Sequence, residues 1–373
     1  MPFFAASILV VGQVIGCLLG GPISDLIGRR KSLLIFLTLS LIGWLILASS
    51  NFITHREIAV ILLFSGRFLH GLADSLGVSP AIMYVSEVSS VKSRGMLMNS
   101  AAIAASGGIP IVYMIGSFWS WHGTAVIGGC FPLLAILIFL LVIHWDSPVF
   151  LINQNQNYAM ESLKFFREGT DLNKITHEFK VLQETNQTQE NELKHSWLTY
   201  FGKEETLKPF LIVMALLGLL PLTGVMSVTF FAMELFKNLG FADSTLPVAV
   251  ASGTLRAFGS FISGIIVVFK GRRSVLLFSC IGSIGCIEVA TIAILLKEYV
   301  PGVLVTQVCD WILIIAIPAY MLFLGVGMIP VPWILLGEWF VAETRSLVGG
   351  IASGTFFLSV LVSLQVRLIH SSN

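Results

Sequence analysis

Residues 28–34 read GRRKSLL, and residues 271–277 read GRRSVLL, so one short basic motif occurs twice at an offset of 243 positions. A second motif, a glutamate seven positions before an arginine, also occurs twice, at an offset of 251: Glu87 with Arg94, then Glu338 with Arg345. Two unrelated motifs that recur at similar offsets indicate a chain duplicated into two homologous halves.

The residues around these motifs are strongly apolar. Apolar residues make up 55% of the 373 positions and charged residues only 12%, whereas an ordinary soluble domain carries about 25% charged residues. The mean hydropathy is +0.88, and the formal net charge of +1 offers no basic surface for nucleic acid. The composition therefore excludes a soluble enzyme, a disordered protein and a nucleic-acid-binding protein.

Ten segments are long and apolar enough to cross a bilayer, which takes about 20 residues each. They are residues 3–23, 32–50, 58–86, 95–117, 123–144, 208–234, 245–269, 274–296, 304–337 and 347–368. The ninth contains Pro318, Pro330 and Pro332, which predict a bent or broken helix. We predict an all-α membrane protein with an N-terminal bundle at 1–144, a linker at 145–207 and a C-terminal bundle at 208–373.

The linker is the polar part of the chain. Residues 145–207 hold 16 of the 43 charged residues. Leu163, Phe166, Ile175 and Phe179 recur at helical spacing within it, which predicts two or three short amphipathic helices. A flexible linker is the alternative interpretation.

Lysine and arginine in the short loops predict the orientation, because cytoplasmic loops carry the excess of these residues. One side has nine, Arg29, Arg30, Lys31, Lys92, Arg94, Lys270, Arg272, Arg273 and Arg345, and the other has three, Arg56, Lys237 and Lys297. The side with nine is predicted to be cytoplasmic, together with the linker and its Asn186 sequon. Both termini are then extracellular, and the plasma membrane is the expected location.

The duplicated charged motifs predict a cytoplasmic latch. Asp25 can pair with Arg29 or Arg30 across the first turn, and Glu87 can pair with Arg94 between two helices. The full predicted set is Asp25, Arg29, Arg30, Glu87, Arg94, Arg272, Arg273, Glu338 and Arg345. The alternative is that the basic residues only set the topology.

Three ionisable residues lie inside the third predicted span. Arg67, His70 and Asp74 share one helix face, and intramembrane charges are functional candidates by default. A titrating His70–Asp74 pair could couple protons to transport, or the three could be an ion-pair network that holds helices together. No nucleophile–base set, phosphate loop or metal-ligand cluster is present in the sequence, so we expect neither catalysis nor a cofactor or metal.

Several stretches resemble the signatures of the sugar-porter branch of the major facilitator superfamily. They are GPISDLIGRRK at 21–31, GRFL at 66–69 with Tyr84, Glu87, Arg94 and Gly95, DSPVFL at 146–151, and GVGMIPVPWILLGE at 325–338 with Arg345. The similarity runs from about residue 12 to about residue 366, and its spacing is most similar to that of insect facilitated trehalose or glucose transporters.

The resemblance implies two homologous helical bundles that transport a sugar or related small solute across the bilayer by alternating access and facilitated diffusion. It implies a substrate cavity at Trp333, Met226, Ala102 and Phe356, although Leu220 and Pro221 stand where the family has sugar-binding polar residues. It also aligns the first span with the family's second helix and the last with its eleventh, so the family's first and twelfth helices have no counterpart here. The alternative is therefore a truncated, transport-inactive membrane protein that binds a ligand or a partner.

Overall fold

A computed structural model describes residues 2–90, 94–192, 204–240, 244–300, 302–340 and 342–372. The described residues form helices joined by short turns, with no strand among them. Ten helical segments of the described chain are long and apolar enough to span a membrane: Phe4–Ile27, Arg29–Phe52, Arg56–Val88, Met96–Phe118, Trp121–Leu141, Thr206–Asn238, Thr245–Val267, Arg272–Tyr299, Val303–Trp339 and Leu347–Gln365. Each overlaps one of the ten predicted spans, which confirms the predicted fold class.

The helices of the first part of the chain are numbered in chain order. They are α1 (Pro2–Ile27), α2 (Arg29–Ser49), α3 (Arg56–Val88), α4 (Arg94–Phe118), α5 (Trp121–Leu141), α6 (Pro148–Ile152), α7 (Gln156–Phe166) and α8 (Leu172–Glu192). The second part contains α9 (Glu204–Leu219), α10 (Val225–Asn238), α11 (Thr245–Lys270), α12 (Arg272–Tyr299), α13 (Val303–Phe323), α14 (Pro330–Trp339) and α15 (Ala342–Ser372).

Two of the spans are broken in the middle. A π-helical turn at Leu324–Met328 separates α13 from α14, as the prolines of that span predict. A second break falls between α9 and α10, where a 3₁₀ turn at Leu220–Thr223 is followed by Gly224 with φ +89. The sequence analysis predicted the span at 208–234 without a break. The break arises because Pro221 removes a backbone donor and Gly224 readily adopts a positive φ.

The chain divides into two compact units. The first comprises residues 1–94, 125–219 and 336–373, and the second comprises residues 95–124 and 220–335. The unit boundary in the sixth span coincides with its break, so α9 belongs to the first unit and α10 to the second.

Each unit contains the same pair of close glycine contacts. In the first unit, a side chain at Gly12 would meet the Phe68 carbonyl, and one at Gly71 would meet the Leu9 carbonyl, so α1 and α3 pack backbone to backbone. In the second unit, Gly259 faces the Leu322 carbonyl and Gly325 faces the Arg256 carbonyl. The positions in α11 lie 247 residues after those in α1, and Leu322 and Gly325 lie 254 residues after Phe68 and Gly71. The same helix–helix contact is therefore built twice.

The polar linker begins with three helices. Helices α6, α7 and α8 enclose a small apolar core of Ile152, Ala159, Leu163, Ile175 and Phe179. Ser147 begins α6 by accepting the Val149 amide at 3.2 Å, an ordinary N-cap arrangement.

Candidate functional site

A network of charges occupies the turn between α1 and α2. Gly28 forms this turn with φ +97, and Arg29 follows it as the first residue of α2. The Arg29 guanidinium contacts Asp25 on α1 at 3.2 Å and Glu87 on α3 at 3.2 Å. The Arg29 and Glu87 side chains are 9% and 4% exposed, whereas the Asp25 side chain is 44% exposed. The Arg29–Glu87 pair is therefore the buried part of the network, and removing either partner would leave an uncompensated buried charge.

Asp146, which precedes the N-cap residue Ser147 of α6, also belongs to this network. Its Oδ1 accepts the backbone N–H groups of Arg29 and Arg30, both at 3.1 Å, and that of Ser147 at 2.8 Å. The Arg30 side chain donates to the Ile143 carbonyl at 2.6 Å. One carboxylate thus satisfies the first amides of α2, where the helix dipole favours a negative charge.

The end of α3 is fastened to the linker helices. Tyr84 donates its hydroxyl to the Trp145 carbonyl at 2.9 Å. Arg167, which follows α7, pairs with Glu178 on α8 at 2.8 Å and donates to the Val88 carbonyl at 2.8 Å. Movement of the linker helices would therefore displace the end of α3 or break these contacts.

The predicted latch residues fall into three groups. Asp25, Arg29, Arg30 and Glu87 come together as described. Arg272 and Arg273 begin α12, and Glu338 lies exposed on α14. The side chains of Arg94 and Arg345 lie outside the described residues, so the expected Glu87–Arg94 and Glu338–Arg345 pairs stay predictions. Sequence reasoning missed Asp146 as a member, although its position before Ser147 and Pro148 is a helix-start pattern.

The intramembrane ionisable residues lie on α3 in the first unit. His70 Nδ1 is 3.7 Å from Asp74 Oδ2, which is too long for a hydrogen bond. The His70 ring packs edge-on against Trp44 with the centroids 4.5 Å apart. Arg67 is half-buried one turn earlier on the same helix. Proton coupling through His70 and Asp74 stays a prediction.

A second polar cluster lies at the break between α9 and α10, within the second unit. Arg256 of α11 donates Nη1 to the Thr229 hydroxyl at 3.0 Å. Tyr113 of α4 donates to the Thr229 carbonyl, and Tyr320 of α13 donates to the Thr223 carbonyl at 2.8 Å. Three helices thus hold one short segment, 223–229, through polar side chains. Arg256 is not among the site residues that the sequence analysis predicted.

The four predicted cavity residues do not all lie in one unit. Met226 lies in the broken segment at the start of α10, while Ala102 and Trp333 lie half-buried on α4 and α14 of the same unit. Phe356 belongs to α15 of the first unit, where it is buried against Phe357 with the ring centroids 5.2 Å apart. Their role in substrate binding stays a prediction.

The fold and these two clusters define a multi-pass α-helical membrane protein with charged side chains fixed at a helix turn and at a mid-span break. Residues 3–372 match the family model described as "Sugar (and other) transporter". The chain belongs to this transporter family.

Curated relatives agree with the family match. The chain is 24% identical to the facilitated trehalose transporter Tret1 of Apis mellifera ligustica over 95% of its own length and 68% of the relative's. It is 26% identical to sugar transporter ERD6-like 6 of Arabidopsis thaliana over 96% of its own length and 72% of the relative's. It is 26% identical to mouse facilitated glucose transporter member 4 over 91% of its own length and 65% of the relative's. The chain thus spans about two thirds of each relative.

Solved structures show the same fold. The proton:xylose symporter XylE bound to 6-bromo-6-deoxy-D-glucose superposes with a TM-score of 0.82 at 22% identity, covering 100% of this chain and 79% of the symporter. The partially occluded inward-open form of XylE from E. coli gives a TM-score of 0.74 at 20% identity, covering 98% of this chain and 79% of the transporter. The chain therefore has the major facilitator fold.

Proposed function

We propose that the chain carries a sugar or a related small solute across a membrane by alternating access, without a coupled ion. Membership of the transporter family supports this, as do the names of relatives described as facilitated trehalose and facilitated glucose transporters. The two halves of the mechanism would be the bundles 1–144 and 208–373, joined by 145–207. The repeated glycine contacts of α1–α3 and of the second unit support this duplication.

The observation that carries the proposal is the buried Arg29–Glu87 pair. It joins the start of α2 to the end of α3, while Asp146 holds the same turn to the linker. Alternating access needs contacts that stabilise one conformation and are lost in another. A buried ion pair is suited to this role, because removing one partner leaves an uncompensated charge. Arg272, Arg273 and Glu338 would serve the second half.

The orientation follows the distribution of basic residues. We propose that the turn with Arg29 and the linker face the cytoplasm, that both ends of this chain face outward, and that the plasma membrane is the location. The excess of lysine and arginine in the loops on that side supports this.

Uptake into cells that lack their own hexose transport tests the proposal. We expect saturable uptake of labelled D-glucose or trehalose by cells that express the full chain. Glu87→Gln should lower uptake about tenfold or more, because Arg29 then loses a buried partner. Asp25→Asn is the matched control and should change uptake less than about twofold, because its side chain is half exposed. Equal uptake by both variants and the unaltered chain would remove the latch from the mechanism.

A transport-inactive binding protein is the second candidate. Leu220 and Pro221, both buried, stand at positions where the sequence analysis expected polar sugar-binding groups. A chain that reaches the cell surface, binds solute and supports no uptake of any solute tested would favour this candidate over transport.

A further inference from the structure

We infer that the buried guanidinium of Arg256 is the binding point for the carboxylate of an anionic solute, at the break between α9 and α10. The inference rests on the proposed transport function and names the solute class that is preferred: a small carboxylate, such as a sugar acid, over a neutral sugar.

Arg256 lies at the middle of its membrane span. The span Thr245–Val267 extends eleven residues to either side of it, about 17 Å of helix in each direction. The residue is 7% exposed. A permanently charged side chain at this depth is costly, and such residues are usually paired or face a functional cavity.

No carboxylate of the described chain compensates the Arg256 charge. Among these residues the guanidinium forms no salt bridge, and its one hydrogen bond goes to the neutral Thr229 hydroxyl at 3.0 Å. Asp310 of the same unit pairs with Lys297 at 2.7 Å instead. Tyr113 and Tyr320 donate their hydroxyl protons to carbonyl groups. The cluster is therefore a positive charge surrounded by neutral groups.

The free part of the guanidinium has the shape of a carboxylate receptor. Thr229 uses Nη1, and the buried Nε has no acceptor in the described structure. This leaves the Nε–Nη2 edge, which binds carboxylates through two parallel hydrogen bonds. An unsatisfied buried donor is itself destabilising. An anion that accepts from this edge would therefore satisfy the Nε donor and also compensate the buried positive charge.

The chain is broken beside Arg256. Gly224 interrupts the span, and α10 begins at Val225 and is itself kinked at Phe231, where φ is −125 and ψ is 25. Thr229, which holds Arg256, is tied to the Val225 carbonyl at 2.8 Å. A Cβ atom at Gly224 would meet no atom within 4 Å, so there is open space at the break.

Helix packing alone does not require an arginine here. The equivalent position in the first unit is Leu9, which makes the same backbone contact with Gly71 that Arg256 makes with Gly325. Leu9 is as buried as Arg256, with 8% exposure. The duplicated fold thus tolerates an apolar residue at this position, and the guanidinium serves something other than the fold.

Ligand-induced thermal stabilisation of the purified full chain in detergent tests the site without requiring transport. D-glucuronate and D-glucose are matched probes, because they differ by a carboxylate in place of a hydroxymethyl group. We expect D-glucuronate, and more weakly L-lactate, to raise the Tm saturably, while D-glucose has a smaller effect. Equal stabilisation by D-glucuronate and D-glucose, or stabilisation by D-glucose alone, would overturn the inference, as would no response to either carboxylate.

Three variants assign the effect to the guanidinium. Arg256→Gln keeps a donor for Thr229 but removes the charge, and should weaken D-glucuronate binding about tenfold or more. Arg256→Lys keeps the charge but lacks the planar guanidinium, so its affinity for D-glucuronate should lie between those of the unaltered chain and Arg256→Gln. Thr254→Val, on the exposed side of α11, should bind as the unaltered chain does. If Arg256→Gln does not fold, the Arg256→Lys variant provides the test. An unchanged affinity of this variant for D-glucuronate would contradict binding through two parallel hydrogen bonds.

Flux into proteoliposomes separates this inference from the proposed function. Uptake of D-glucose without preference for D-glucuronate would leave the transport proposal standing and overturn the inference. Arg256-dependent binding of D-glucuronate without flux of any solute would leave the inference standing and overturn transport.

Discussion

At the scale of single residues, the turn between α1 and α2 shows how position determines the role of a common residue type. Gly28 and Gly271 open the two copies of the basic motif, and both have a positive φ, +97 and +76. A side chain at Gly28 would collide with the carboxylate of Asp146 and the ring of Phe150, whereas one at Gly271 would meet nothing within 4 Å. The two copies are alike in sequence and differ in surroundings.

This difference gives a matched prediction. Gly28→Ala and Gly271→Ala both place a Cβ at a positive φ with ψ near 157 and 158, a region that is essentially restricted to glycine and costs roughly 1–3 kcal/mol for other residues. Only Gly28→Ala also displaces the Asp146 carboxylate, which accepts hydrogen bonds from the backbone amides of Arg29 and Arg30. We therefore expect a clearly larger fall in Tm for Gly28→Ala, measured by tryptophan fluorescence of the chain in detergent. Equal falls would show that the Asp146 contact adds nothing.

At the scale of helices, backbone-to-backbone packing holds α1 against α3. Gly12, Gly16 and Gly20 recur every fourth residue, and a side chain at any of them would overlap the backbone of α3 near Phe68, Leu72 or Leu76. Lipid offers no hydrophobic drive for helix association, so close contact of small residues must provide it. This spacing is typical of close helix–helix contact, and the structure identifies α3 as the partner helix.

A substitution on this interface should act through the separation of the helices. Gly16→Ala requires α1 and α3 to move apart and is expected to lower the Tm by several degrees. Gly116→Ala on α4 is the control, because a Cβ there meets no atom within 4 Å. Alanine is the better helix former, so the control should be neutral or slightly stabilising. A stable Gly16→Ala chain would contradict the close packing.

At the scale of the whole molecule, the duplication is visible in contacts as well as in motifs. The pair of contacts between α1 and α3 recurs between α11 and the helices around the π-helical turn. Among the described residues, the two polar clusters differ, because the first unit has a buried ion pair at a turn and the second has an arginine without a charged partner at mid-span. The scaffold is thus repeated while the polar sites have diverged.

Membrane orientation can be tested with an impermeant maleimide in a Cys130→Ala background, which removes the one native cysteine that is exposed. Thr170→Cys, in an exposed turn of the linker, should label only after permeabilisation. Phe52→Cys, at a residue that is 85% exposed on the opposite loop, should label in intact cells. The reverse pattern would invert the proposed topology.

The sequence by itself determined the membrane class, the ten spans, the broken ninth span, the duplication and the family resemblance. These follow from composition, from runs of apolar residues and from local motifs, all of which act within about 20 neighbouring residues. Only the tertiary structure decided which charges meet. Arg29 binds Glu87 across 58 positions and Asp146 across 117, while Arg256 has no charged partner among the described residues. Such pairings depend on how helices pack, which spacing along the chain does not specify.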